Sequence, residues 1–299
     1  MIMKQLKHIF NILLFSLLVV SCREKITIEP QEGPQLLGVY GSITDEYKNH
    51  KITLSRTAEF YATGGLQMVS NATIFVHDGS DTVRYEETEE NGVYQSVEKF
   101  SGKENHNYYL SIDLPEHEGG GHYYALAEML QSITDVDSIV IKQYQVANVQ
   151  VNNMLGLYPY FQSLNNEDAY YMVKAYVNDS LAGGNKLTNC GIYNLGGMSG
   201  WYVNGPLMAY LAGEIPVWSF LTEESGSDSL EVLHPGDTVR LDLSVITDGY
   251  AGYISDISSS NGSNPMMGSP SNVRTNIYPE GSATGYFYAT TTKRKTIIY

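Results

Sequence analysis

Hydrophobic and polar residues alternate in short runs over most of this chain, the period of strands with one buried face. In the first half the runs are Leu36–Ile43, Lys51–Leu54, Ala72–His77, Thr82–Glu87, Val93–Val97, Tyr108–Ile112 and Tyr123–Ala127. Asp78-Gly79 and Asn91-Gly92 separate neighbouring runs. Such dipeptides accept the positive φ that tight hairpins need. Short strands with no helical period predict an immunoglobulin-like β-sandwich over residues 35–131. Gln131–Asp137 is the expected seam.

The second half continues with Ser138–Gln145, Ala147–Val151 and Ala169–Val177, the last ending at the turn Asn178-Asp179-Ser180. After Pro235-Gly236-Asp237 comes Thr238–Val245, then Val273–Tyr278, Gly285–Thr291 and Lys293–Ile298. One stretch breaks the period. Ile246, Tyr250, Tyr253, Ile254 and Ile257 fall on one helical face, which predicts a helix over Thr247–Ser258 with Thr247 or Asp248 as its cap. Gly249 and Gly252 each cost that helix about 1 kcal/mol against alanine, so packing must hold it. The expected fold is mainly β: two β-sandwich-like domains in tandem, 35–131 and 132–299, the second with one short helix near its C-terminal part.

The N-terminus follows a different pattern. Lys4 and Lys7 precede the apolar run Ile9–Val20, and Val19-Val20-Ser21 leads to Cys22. That run is too short to cross about 30 Å of hydrocarbon comfortably as a permanent helix. It reads as a signal peptide over residues 1–21, ending in a lipobox that makes Cys22 the lipidated N-terminus. The alternative is an ordinary signal peptide with an incidental cysteine. Residues 22–34, with Pro30 and Pro34, would then be a lipidated tether to the bilayer. The formal charge of the whole chain is −15. Removing Lys4 and Lys7 leaves 16 basic against 33 acidic residues, a net of −17. So acidic a protein is expected neither to bind nucleic acid nor to grip anionic lipid by charge. With Cys22 acylated, Cys190 has no partner and reads as a small buried side chain.

Between Tyr193 and Leu221 the alternation fails. The segment holds Trp201, Tyr202, Tyr210 and Trp218 among several glycines. Irregular aromatic segments of this kind are either recognition loops on a rigid scaffold or core filling. We therefore take Trp201, Tyr202, Tyr210 and Trp218 as candidate partner- or ligand-binding residues.

Several stretches, in their order, resemble a family of Bacteroidota lipoproteins known as domain of unknown function 4249. They are the cysteine Cys22, Gly41–Asp45 with Ile52–Thr57, Ser70–Thr73 before Asp78-Gly79, and Gly92-Val93-Tyr94. Asp137-Ser138-Ile139, Pro235–Val239, and Gly285-Tyr286-Phe287 before Arg294-Lys295-Thr296 complete the set. The resemblance implies two β-rich domains, the first similar to the small regulatory-like sandwich found beside carboxypeptidases, and an accessory outer-membrane role near TonB-dependent transporters. It brings no catalytic residues with it. The proline-rich connector usual after the first domain is missing from Ala127–Ser132.

Little in the chain suggests catalysis or a cofactor. Glu116-His117-Glu118 and His122 resemble a zinc-protease motif only superficially, because three glycines separate histidines five apart. A loop could still chelate a metal through His117 and His122; otherwise it is a solvated strand connection. Asp78, Asp81 and Glu86–Glu90 read as a solvated hairpin edge. The expected function is non-enzymatic: a lipid-anchored outer-membrane protein, either an accessory or ligand-binding component of a TonB-dependent transporter or a structural, adhesive surface module.

Overall fold

The alternation of the first half becomes strands β1 (Leu37–Thr44), β2 (Lys51–Arg56), β3 (Gln67–Met68), β4 (Thr73–His77), β5 (Thr82–Glu87), β6 (Val93–Ser96), β7 (His106–Asp113) and β8 (His122–Met129). The computed structural model describes residues 35–57, 66–146, 149–184, 186–223, 230–262 and 273–299. Cys22 and the expected tether lie outside them. Burial follows the sequence period closely: in β8, Tyr123, Ala125, Ala127 and Met129 point inward while His122, Tyr124, Leu126 and Glu128 face water. The hairpin between β4 and β5 turns where expected. There the Asp81 and Ser80 N–H groups both donate to Asp78 Oδ1, and Lys103 Nζ lies 3.1 Å from Oδ2. These bonds, the Asp81 one foremost, hold the Asp78 carboxyl well below the usual range.

The second half supplies β9 (Ser138–Val146), β10 (Val149–Gln162), β11 (Tyr170–Val177), β12 (Ser180–Leu181), β13 (Gly191–Asn194), β14 (Tyr202–Val203), β15 (Trp218–Leu221), β16 (Thr238–Ile246), β17 (Ile277–Tyr278) and β18 (Ala283–Ile298). The helices are α1 (Pro206–Leu211) and α2 (Asp248–Gly262). The protein is mainly β, as expected. Several elements differ from the sequence reading, among them β17, which is only Ile277–Tyr278 where Val273–Tyr278 was expected. β10 runs on past Val151 to Gln162, through a register irregularity between Gln150 and Leu155. The last two of the three expected closing strands, Gly285–Thr291 and Lys293–Ile298, are one continuous β18. α1 adds a second helix where only one was expected.

β18 is the strand that ties the two halves together. Its first half pairs in parallel with β1, from Leu37↔Ala283 to Thr44↔Thr290. Its second half pairs antiparallel with β16, from Val245↔Thr291 to Thr238↔Ile298. One sheet therefore runs β12-β11-β16-β18-β1-β2-β6-β5-β4-β7-β8-β17, and a second is built on β10 with β9, β14 and β15. Ile277, Ala283, Phe287 and Ala289 join the core formed by residues of β1 to β8. The C-terminal chain thus crosses the expected boundary at 131/132, and residues 35–299 form one compact unit. The parallel pairing depends on Gly285. Its φ is +96°, and an added Cβ would run into the Val39 carbonyl.

α2 forms where the helical face predicted it. Thr247 starts it, its carbonyl accepting from Ala251 N–H and its Oγ1 from Tyr250 N–H. Tyr250, Tyr253 and Ile254 are buried and Ile257 is half-buried. Their neighbours are Met172, Tyr286 and Tyr288. The Tyr250 ring stacks 3.7 Å from Tyr288, and both hydroxyls come within 3.4 Å of the Tyr40 hydroxyl. Burial drives the Tyr40 and Tyr250 hydroxyls far above the ordinary phenol range, so both stay neutral. A Cβ at Gly249 would collide with the Tyr286 hydroxyl. The helix accepts a poor helix former there because the aromatic cluster approaches its backbone.

Candidate functional site

Between β14 and β15 the chain makes an excursion that carries α1. Gly205 precedes Pro206 at the first helical position, where a missing N–H costs nothing. Gly213, at φ +82°, lies two residues beyond the helix. Met208 is buried and anchors the turn. The other large side chains face out: Leu207 is 62 %, Tyr210 86 % and Leu211 58 % exposed. Apolar residues three and four apart thus share the solvent face, the reverse of a core-packed helix.

Asn204 latches this excursion to the sheet. It is buried, with φ +57° in the left-handed region that asparagine tolerates. Its Nδ2 donates to the carbonyls of Pro159 (2.8 Å) and Ile215 (3.0 Å), and its Oδ1 accepts from Ile215 N–H at 2.6 Å. One side chain therefore joins both ends of the excursion to β10.

Below α1 lies a cavity of about 320 Å³, lined among others by Gln145, Tyr158, Tyr210, Leu211 and Glu214. Lys142 Nζ reaches both Glu214 oxygens at 2.6 Å and sits 4.6 Å from the centre of the Tyr158 ring. Tyr160 donates to the same carboxylate at 3.0 Å. Partial burial raises the Glu214 carboxyl, but the Lys142 and Tyr160 hydrogen bonds outweigh it and hold the group below its ordinary value. Burial likewise lowers Lys142, and Glu214 more than compensates. The pair is thus a mutually neutralised wall. From Leu187 to Gly213, 27 consecutive residues carry no charged side chain and no histidine.

The four residues singled out from the sequence divide. Trp201 and Trp218 are half-buried and pack on the core of the second half. Tyr202 is 39 % exposed and donates to Asp137 Oδ2 at 2.6 Å, which pushes its hydroxyl up to about 12. Tyr210 alone stands at the tip. Sequence reasoning passed over Asn204, Leu207, Leu211, Lys142 and Glu214. Gly205-Pro206 with Gly213 is the signal that could have found α1.

Elsewhere the chemistry is sparse. His117 is exposed on the turn Glu116–Glu118, and His122 Nδ1 pairs with Asp113 Oδ1 at 2.7 Å. Among the described residues no three histidine, cysteine or acidic side chains gather as a metal site. Cys190 is a half-buried free thiol whose burial pushes its pKa up, away from the nucleophilic thiolate. Tyr109, Tyr124, Leu126 and Tyr278 form a second exposed apolar group, where Tyr124 and Tyr278 cover one another at 5.4 Å. Among the described residues no helix is long and apolar enough to cross a membrane.

Residues 23–296 match the family described as Domain of unknown function (DUF4249). No curated protein matches the chain. Among solved structures, a chain titled "Cytokine receptor complex - Crystal form 1A" aligns over 86 % of this chain and 94 % of its own, at 7 % identity and a TM-score of 0.23. That score is too low to bear on fold or function.

Proposed function

The chain belongs to the DUF4249 family, and from that premise we propose that it is a lipid-anchored, non-enzymatic outer-membrane protein serving as an accessory or ligand-binding partner of a TonB-dependent transporter. Cys22 carries the lipid in this reading, and the folded unit 35–299 presents the excursion at Asn204–Gly213 to its surroundings. The observation that carries it is the uncharged apolar tip on a strongly acidic protein. Leu207, Tyr210 and Leu211 are held outward on a latched, prepared scaffold, which suits contact rather than group transfer. The cavity below supports the same reading: its lining offers rings, an amide and the Glu214 carboxylate that Lys142 neutralises, the makings of a binding surface.

Affinity purification of the tagged, acylated protein from a native membrane extract tests this. A TonB-dependent transporter should co-purify in stoichiometric amount. Recovery of filament or matrix proteins alone would favour a structural, adhesive module, and recovery of neither would refute the accessory role.

A further inference from the structure

We propose that α1 is a membrane-contact tip, with Leu207, Tyr210 and Leu211 entering the headgroup–acyl boundary of the bilayer that holds the lipid anchor. The inference rests on the anchoring at Cys22 proposed above and adds what the tip meets. Three observations select lipid as the occupant.

The first is side-chain chemistry. The outward face carries two leucines and a tyrosine, aliphatic groups that favour acyl chains and a ring whose hydroxyl favours the headgroup level. The second is charge. A processed protein with 16 basic against 33 acidic residues, net −17, would be repelled from an anionic leaflet over most of its surface. The 27 residues Leu187–Gly213 carry no charged side chain; next to them in the chain, Glu214 is neutralised by Lys142 at 2.6 Å, and Asp137 meets the segment at Tyr202, outside α1. The residues of α1 therefore bring no charge of their own to the headgroups. The third is reach. Twelve residues, Arg23 to Pro34, separate Cys22 from Gln35, and those thirteen steps of chain span at most about 45 Å when extended. The folded unit is therefore held at high effective concentration near the surface, where α1 can meet it. Three side chains alone make a weak membrane ligand; combined with a covalent anchor they become the second of two signals, which fixes orientation rather than attachment.

The test uses the acylated full chain, purified from membranes and reconstituted on phosphatidylcholine vesicles with brominated acyl chains. Tyr210→Trp places a reporter at the tip, with the wild-type protein giving the background from Trp201 and Trp218. Vesicle flotation reports the anchor, and quenching reports the tip. Insertion of 5–10 Å should bring a blue shift and about a two-fold loss of the added emission. Leu207→Glu with Leu211→Glu in the same background should abolish the quenching, with flotation and melting temperature unchanged, because both positions are exposed. Flotation without quenching, or quenching that survives the double substitution, overturns the inference alone. Loss of flotation in the parent protein refutes the anchor and the inference with it.

Discussion

Replacing Asn204 tests whether the excursion is latched as described. In Asn204→Ala three hydrogen bonds disappear: two from Nδ2, to Pro159 and Ile215 carbonyls, and one to Oδ1 from Ile215 N–H. Pro159 is buried and Ile215 half-buried, so water can re-satisfy only part of what is lost. A buried group left without a partner costs about 1–3 kcal/mol. Holding alanine at φ +57° adds about 1 kcal/mol. The expected loss is about 3 kcal/mol. Asn204→Gly removes the backbone penalty and keeps the lost amide, so it should cost about 1 kcal/mol less than alanine. Asn204→Asp keeps an acceptor for Ile215 N–H but faces a carboxylate toward two carbonyls, and it should be the worst of the three. Urea unfolding gives the ranking, and hydrogen exchange over residues 205–214 gives the local effect. Alanine within about 0.5 kcal/mol of wild type, or glycine worse than alanine, would refute the latch.

Much of the architecture was legible, because one-sided burial imposes a period of two that β1, β4, β7 and β8 keep. Helix α2 was legible for the same reason at the helical period. What escaped has physical causes. β10 passes through Asn152-Asn153, with Asn153 at φ +60°, then Gly156 and Pro159, so its pattern is broken where its register shifts. The pairing of β1 with β18 is invisible because a strand's own period says which face is buried and not which partner lies beside it. At the candidate site the aromatic residues drew attention. The residues that build it are an asparagine latch and two leucines on a helix too short to show a period.

Ile254→Asp should destabilise the fold by several kcal/mol, because an unpaired carboxylate would enter the tyrosine cluster; an unchanged melting temperature would contradict the burial of that helix face. Trp201→Ala should cost about 2 kcal/mol, less than the 3–5 of a fully buried ring, and no loss of stability would free the ring for a docking role. His50 is buried with Nε2 3.0 Å from the Phe100 carbonyl, and burial lowers its pKa from 6.5 to about 4. Between those values the unfolded chain binds a proton that the folded one refuses. Stability should therefore fall as pH drops through 6.5 and level off below about 4, by about 2 kcal/mol after allowance for screening. A His50→Gln variant that keeps the same slope would place its origin elsewhere.

The central claim is the anchor at Cys22, and the intact mass of the mature protein taken from native membranes tests it most directly. The expected N-terminus is Cys22 carrying the added mass of its acyl chains, and Cys22→Ala should give an unprocessed or unanchored product. A mature N-terminus at another residue, or an unmodified Cys22 thiol, would contradict it.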